Sequence, residues 1–136
     1  MGTAAPSKIG GLRSSPVNDI ADRLFAAIEK GDVDGVAALY ADDALIWHNF
    51  DGIAQPREAN LVVLAWMARN VEHLRYEDVQ RHAIEGGFVQ QHVLRGTTKN
   101  GAELEVPSCL IVHVDDGHIT RVDEYLDTAH LKPLSQ

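Results

Sequence analysis

The chain has 136 residues, and its 12 Lys and Arg against 20 Asp and Glu give it a net charge of −8. That length fits a single domain, and a hydrophobic share of 45% is enough for one core. The acidic balance argues against nucleic acid or an anionic membrane as the main partner. The longest apolar run, Leu61–Ala68, is far shorter than the about 20 residues that a membrane-spanning helix needs.

The first residues and the single cysteine bear on location. Residues 1–15 are small, polar and glycine-rich, and they lack the apolar run of a secretory signal. We expect them to form a flexible tail ahead of one domain over residues 16–136. Cys109 has no partner for an internal disulfide, which fits a reducing compartment. Together these features predict a cytoplasmic protein.

The first half of the chain predicts three helices and one brief strand. Ser15 can cap the first helix, apolar residues recur along it at helical spacing, and Gly31 ends it. A second, short helix is predicted over 33–41. The brief strand covers 44–50, and the third helix covers 55–71, with a proline near its start.

The second half predicts four antiparallel strands. Two-residue steps that contain glycine separate its alternating runs, as in β-hairpins. The predicted strands cover roughly Leu74–Ile84, Phe88–Thr98, Ala102–Val114 and His118–Leu126. Three helices followed by a strongly curved antiparallel sheet make an α+β domain. Such a sheet wraps around a helix and can leave a cavity between sheet and helices, which is a favoured place for ligands.

Polar side chains interrupt the more apolar faces of the predicted strands. Alternation along a strand assigns side chains to two faces, and the interrupting residues are His48, His92, Ser108 and Glu124. An unpaired polar group in a core costs about 1–3 kcal/mol. We therefore expect the four to cluster and to satisfy one another or a ligand. Pro107 allows a bulge that would shift the alternation beyond it.

The predicted cluster contains the groups that general acid–base catalysis needs. Imidazole exchanges protons near neutral pH, and a neighbouring carboxyl group can take or give the proton. His48 and Glu124 would form this pair, while His92 and Ser108 would orient the substrate or stabilise an enolate. The rest of the predicted pocket wall comprises Tyr40, Trp47, Asn49, Val106, Leu110 and Val122.

Other interpretations of the same residues stay open. Either histidine can be a core residue bonded to the backbone, and Ser108 can be purely structural. Glu124 can simply pair with an arginine. Two histidines and a carboxylate can bind a metal, but no local ligand spacing supports this. Ser108 or Cys109 can be a nucleophile, but the sequence around them lacks the sharp turn that nucleophile elbows have. No glycine-rich phosphate loop occurs, so we predict neither a metal nor a nucleotide cofactor.

Two segments, GDVDGVAALYADDALIWHN at 31–49 and VDDGHITRVDEYLD at 114–127, resemble the SnoaL-like branch of the NTF2-like superfamily. The likeness covers about residues 17–131. This superfamily includes polyketide cyclases, ketosteroid isomerases and limonene-epoxide hydrolases. The resemblance implies a cone-shaped α+β fold, a deep apolar pocket for a small hydrophobic molecule, no cofactor and usually a homodimer, here through the sheet.

The resemblance can be carried over residue by residue. His48 falls where ketosteroid isomerases have an Asp base, but the first helix lacks their tyrosine. Glu124 matches the pocket Asp of the epoxide hydrolases, whose Arg-x-Asp pair is replaced here by Gln90-Gln91-His92. The WH step at 47–48 and the EYLD ending are more similar to the polyketide-cyclase group. Those enzymes use a pocket acid on an enolisable substrate.

We therefore expect a cofactor-independent acid–base enzyme of isomerase, cyclase or lyase type. Its substrate would be a small, apolar, carbonyl-bearing molecule of steroid or polyketide kind, and epoxide hydrolysis is less favoured. The sequence leaves open whether His48 or Glu124 is the base. The alternative is a non-catalytic ligand-binding or dimerisation module of the same fold, in which the pocket's polar groups pair with each other and are closed to a ligand.

Overall fold

The computed structural model describes residues 15–135, and its first helix has the predicted ends. Helix α1 covers Pro16–Lys30. The Ser15 side chain accepts a hydrogen bond from the Asn18 backbone N–H at 3.0 Å, and Gly31 closes the helix in the left-handed region with φ 71°. Apart from Ser15, the predicted tail over 1–15 lies outside the described residues.

The second helix is shorter than predicted, and the first strand is longer. Helix α2 covers Val33–Leu39 and strand β1 covers Tyr40–His48. The prediction that this helix extends over 33–41 is wrong because Tyr40 already has extended backbone and pairs with Ile119. Pairing to a distant strand thus ends the helix, although the local sequence would allow it to continue.

A short strand that the sequence did not predict precedes the third helix. Strand β2, Ala54–Pro56, pairs antiparallel with β1. Helix α3 therefore covers Arg57–Asn70 and does not begin at residue 55. Strand β3, Val71–Ile84, follows without a loop and starts three residues earlier than predicted, because its first residue already pairs with β4.

The predicted four-stranded antiparallel meander is confirmed. Strands β4, Gly87–Thr98, β5, Glu103–Asp115, and β6, His118–Leu126, follow β3 as sequential neighbours. The full sheet has the order β2-β1-β6-β5-β4-β3 and is curled and open, with the helices packed on one face. The β4–β5 register runs without a shift past Pro107, so the bulge considered there does not form.

Strand β1 lies parallel to β6, and this single pairing positions the site. The register places Ile46 opposite Val122 and His48 opposite Glu124. A 3-10 helix, Thr128–Ser135, then crosses back onto β5. No helix within residues 15–135 is both long and apolar enough to cross a membrane.

The buried side chains form two clusters. The larger packs α1 and α2 onto the sheet around Leu24, Phe25 and Phe88. The smaller contains Val71, Leu74, Leu104 and Val106, with Met67 and two leucines of the 3-10 helix against it. Between the two clusters, the curl of the sheet leaves a space that the side chains of residues 15–135 do not fill.

Candidate active site

A hydrogen-bonded histidine and glutamate stand on adjacent parallel strands. His48 Nε2 lies 3.0 Å from Glu124 Oε1. Both side chains are half-buried, with 24% and 23% of their surface exposed. The parallel register makes the two residues direct neighbours, and the alternation of each strand points both side chains to the helix-covered face.

The pair lies on the wall of a cavity of about 350 Å³. This volume is within the range that small-molecule pockets show. Much of the wall is aliphatic, with Leu94, Leu104, Val106, Leu126 and Leu131 among the contributors. The polar part of the wall consists of His48, Asp51, Gln55, Asn60, Tyr76, Ser108 and Glu124.

The surroundings of His48 favour its charged form. The hydrogen bond that the imidazole donates to Glu124 raises the pKa of His48 above its ordinary value. Burial opposes this shift, and the negative charges of Glu124 and Asp51 add to it. The ring of His48 also stacks on Phe50, with centroids 5.0 Å apart and planes 28° apart. The stacking and the hydrogen bond together fix how the imidazole meets the cavity.

His92 is near this pair but has a different environment. It is buried, and its Nδ1 lies 2.8 Å from Gln90 Nε2. Gln90 Oε1 accepts from Arg81 Nε at 2.8 Å, so the Gln90 amide must donate to Nδ1 of His92. Burial lowers the pKa of His92 to about 4, although the charge of Glu124 opposes the shift. A neutral ring at neutral pH follows, with its proton on Nε2.

Tyr40 lies directly behind the cavity wall. Its side chain is buried, and its hydroxyl donates a hydrogen bond to Asn60 Oδ1 at 2.7 Å. Burial raises the pKa of Tyr40, and the charge of Glu124 adds to the effect. Asn60 itself faces the cavity. The predicted wall residue therefore acts on the cavity through the amide that it holds.

The structure places several other predicted wall residues away from the cavity. Trp47 points to the opposite face of the sheet and packs edge-on against Tyr125, with ring centroids 5.2 Å apart. The Asn49 side chain accepts a hydrogen bond from the Leu126 backbone N–H at 2.9 Å. Strand alternation explains the position of Trp47, which precedes His48 on β1, whereas Asn49 lies one residue beyond the end of that strand. Two further predicted residues, Leu110 and Val122, belong to the larger core cluster.

The remaining predicted residues meet the cavity or its neighbours. Ser108 and Val106 lie in its wall. His92 lies opposite Ser108 in the β4–β5 register, with its ring 4.5 Å from that of Tyr76. Predicted residues from three strands, β1, β5 and β6, thus meet at one hollow, with His92 packed beside it.

Sequence reasoning did not identify Asp51, Gln55, Asn60 and Tyr76 as wall residues. Gln55 belongs to the unpredicted strand β2, and Asn60 lies in the first turns of α3. Helical spacing from the apolar residues of α3 would have placed Asn60 on the inner face. Tyr76 carried no usable signal, because the register of β3 shifts on both sides of it.

The described residues also bear on the metal alternative. Across 15–135, no three His, Cys, Asp or Glu side chains come together in a way that could hold a metal ion. His92 cannot join His48 and Glu124 as a ligand through Nδ1, because that atom accepts the Gln90 hydrogen bond.

The sequence of the chain matches a known domain family. The model of the SnoaL-like domain family matches residues 21–122. The chain therefore belongs to the SnoaL-like family. A comparison with curated proteins finds no significant match.

Solved structures show the same fold at low sequence identity. A provisionally named polyketide cyclase from Xanthomonas campestris is 23% identical with a TM-score of 0.74, covering 85% of this chain and 93% of its own. IdmH from Streptomyces antibioticus, also provisionally named a polyketide cyclase, is 22% identical with a TM-score of 0.74, covering 90% and 99%. A ketosteroid isomerase-like protein from Catenulispora acidiphila, solved with trimethylamine, is 17% identical with a TM-score of 0.68, covering 79% and 84%.

Proposed function

We propose that this protein is a cofactor-independent acid–base enzyme of isomerase, cyclase or lyase type. Its substrate is a small, apolar, carbonyl-bearing molecule of steroid or polyketide kind. The observation that carries the proposal is the His48–Glu124 pair, 3.0 Å apart on the wall of a largely aliphatic cavity of about 350 Å³. Names of similar structures, polyketide cyclase and isomerase, point in the same direction.

The pair can move a proton without outside help. His48 Nε2 occupies Oε1 of Glu124, and no other hydrogen bond to this carboxylate forms within residues 15–135. Its second oxygen is therefore open to a proton on the carbon next to a substrate carbonyl. In the proposed step that C–H bond breaks, the proton joins Glu124, and the electron pair moves onto the carbonyl oxygen as an enolate.

The raised pKa of His48 favours its protonated form. That positive charge supports the step by stabilising the negative charge that develops on the substrate. Return of the proton from Glu124 to another carbon of the enolate gives an isomer. Alternatively, the enolate carbon attacks a second carbonyl of the same molecule, which forms a C–C bond and closes a ring, and Glu124 returns its proton to the new alkoxide oxygen. The aliphatic wall excludes water and holds the apolar body of the substrate.

The alternative, a module that only binds ligands, predicts polar groups that are closed to a ligand. His92 fits that description, because Gln90 occupies its Nδ1. His48 and Glu124 do not, since each keeps about a quarter of its side-chain surface exposed. The difference between the two histidines supports the enzyme.

The test follows exchange of α-protons for deuterium by NMR in D₂O, with 2-tetralone and a panel of steroid ketones as probes. We expect the wild-type protein to speed exchange on at least one ketone. Glu124→Gln should lower that rate about 100-fold or more, because an amide cannot accept the proton. Asp123→Asn is the matched control. Asp123 directly precedes Glu124 on β6, points to the other face of the sheet and forms an ion pair with Arg121.

Two results would contradict the proposal. If Glu124→Gln exchanges protons at the wild-type rate, the carboxylate is not the base. If ketones raise the melting temperature of the wild-type protein but none exchanges faster than in buffer, the cavity binds ligands without catalysis.

We further propose a homodimer that forms through the outer face of the sheet. Leu45 and Tyr125 are exposed there, with Trp47 packed against the tyrosine. Apolar and aromatic side chains of this kind are typical of protein interfaces. Light scattering should give twice the chain mass, and Tyr125→Arg should shift the protein toward monomer. A monomer at high concentration in the wild type would refute this.

A further inference from the structure

We propose that Tyr76 donates the hydrogen bond that holds the carbonyl oxygen of the ligand. This inference rests on the proposed use of the cavity for carbonyl compounds. It assigns a role to a residue on β3, which is not a neighbour of β1 or β6 in the sheet but contributes to the wall of the same cavity as His48 and Glu124. Tyr76 would then hold the carbonyl oxygen, while the His48–Glu124 pair acts on the proton of the neighbouring carbon.

The backbone of β3 is built to aim this side chain inward. The register with β4 shifts between Glu72 and Arg75 and again between Glu77 and Gln80. Asp78, within the second shift, has a positive φ of 55°. Bulges on both sides of a residue re-aim it relative to a regular strand. The Tyr76 backbone N–H is fixed separately by Glu29 Oε2 at 2.8 Å.

The ring of Tyr76 is held between two aromatic neighbours. Its centroid lies 4.9 Å from that of Phe25 and 4.5 Å from that of His92, and both contacts are edge-to-face. Such pairs favour one ring orientation. His92 is itself held by Gln90. A phenol fixed in this way needs little reorganisation to meet a ligand oxygen.

The hydroxyl of Tyr76 is available as a donor. Burial raises the pKa of Tyr76 well above its usual value, and the charge of Glu124 adds to the shift, so the group keeps its proton. Within residues 15–135 this hydroxyl makes no hydrogen bond, although its residue faces the cavity. A donor in an apolar hollow that lacks a partner among these residues needs an acceptor from outside them, and a ligand carbonyl can supply it.

The other hydroxyl groups fit the role less well. Tyr40 already donates to Asn60 at 2.7 Å, and Tyr125 lies exposed, packed on Trp47. Ser108 is in the wall, but an aliphatic alcohol is a weaker donor than a phenol, whose pKa is about 10. Ser108→Ala therefore gives a second comparison for the experiment.

The experiment uses benzophenone labelled with ¹³C at the carbonyl carbon, a ketone that has no α-proton and cannot react. Its carbonyl resonance is measured at saturation with the wild-type protein, Tyr76→Phe, Ser108→Ala and Tyr125→Phe. A hydrogen bond to the oxygen moves this resonance downfield. We expect the downfield shift in all but Tyr76→Phe, which removes only one hydroxyl and should keep the wild-type melting temperature.

The reactive ketones give a second measurement. Tyr76→Phe should lower the α-proton exchange rate about 100-fold, the usual effect of losing one donor to a developing oxyanion, with a smaller change in the half-saturating ketone concentration. Equal resonance shifts in wild type and Tyr76→Phe, loss of the shift in Ser108→Ala, or no saturable binding of benzophenone would each overturn the proposal. A Tyr76-dependent shift without any α-proton exchange would support this donor and refute only the catalytic function.

Discussion

The coupling between His48 and Glu124 can be measured without knowing the substrate. Replacing each with leucine, singly and together, removes the interaction without adding a new hydrogen bond. The four proteins form a double-mutant cycle, whose interaction term isolates the pair from the separate effects of each substitution. Both residues lie at the cavity and not in the solid core, so we expect all four proteins to fold.

The structure sets the expected magnitude. A hydrogen bond to a charged group contributes about 1.5–3 kcal/mol to stability, and the pair meets that geometry at 3.0 Å. About a quarter of each side chain is exposed, so water weakens the attraction. We therefore expect an interaction free energy of about 1–2 kcal/mol at pH 5.5.

The sign of the pH dependence follows from the raised pKa of His48. A histidine whose pKa is higher in the folded than in the unfolded state stabilises the fold fully below about 6.5, its unfolded value. That stabilisation is lost as the pH rises through the folded-state pKa. Once the ring has lost its proton, the remaining neutral hydrogen bond should contribute about half as much.

The assay is urea unfolding of the four proteins at pH 5.5 and pH 9, followed by tryptophan fluorescence. The His48 ring resonance is titrated by NMR in wild type and Glu124→Leu, where its pKa should fall. Additive effects of the two substitutions at both pH values would refute the reasoning, as would an interaction that grows with pH. Either result would mean that the pair is not a charge-assisted hydrogen bond in solution.

Two further predictions concern the sheet that carries the site. Gly87→Ala should lower the free energy of unfolding by about 2–4 kcal/mol, because the new Cβ would overlap the Val112 carbonyl oxygen on β5. Urea unfolding measures this change. Gly86→Ala is the comparison: Gly86 has open space around it but a φ of 77°, so this variant gives the cost of backbone strain alone. His92 should titrate near pH 4 by NMR. Because this histidine binds a proton more readily in the unfolded protein, the free energy of unfolding should fall as the pH drops from 6.5 toward 4. A titration midpoint near 6.5 would contradict the buried position of His92.

The local chemistry of the chain was enough to predict much of the fold. Ser15 caps α1 and Gly31 ends it, because a side-chain oxygen and a left-handed glycine act within one turn of the backbone. The glycine-containing steps mark the hairpins of the meander for the same reason. Alternation then placed His48, Ser108 and Glu124 on the inner face, since successive side chains of a strand must point to opposite sides.

Wall residues predicted against that alternation were misplaced. Trp47 precedes His48 on β1 and lies away from the cavity for that reason. Asn49 lies one residue beyond the end of β1, and its side chain bonds to the Leu126 backbone instead. Leu110 and Val122 share the inner face but fall where the helices cover the sheet. A face can be predicted from sequence, but whether a given point on it meets a helix or a hollow depends on where the helices cross.

Contacts between distant segments decided the rest. His48 and Glu124 are 76 residues apart. The parallel pairing of β1 with β6 brings them together, and it involves no short turn that could be predicted from the sequence. The two register shifts that aim Tyr76 arise from how β3 pairs with β4. Sequence by itself determined which side chains face inward, because that follows from backbone geometry over a few residues. Only the tertiary structure decided which of them meet, because strand order, register and helix placement depend on the free energy of the whole packed domain.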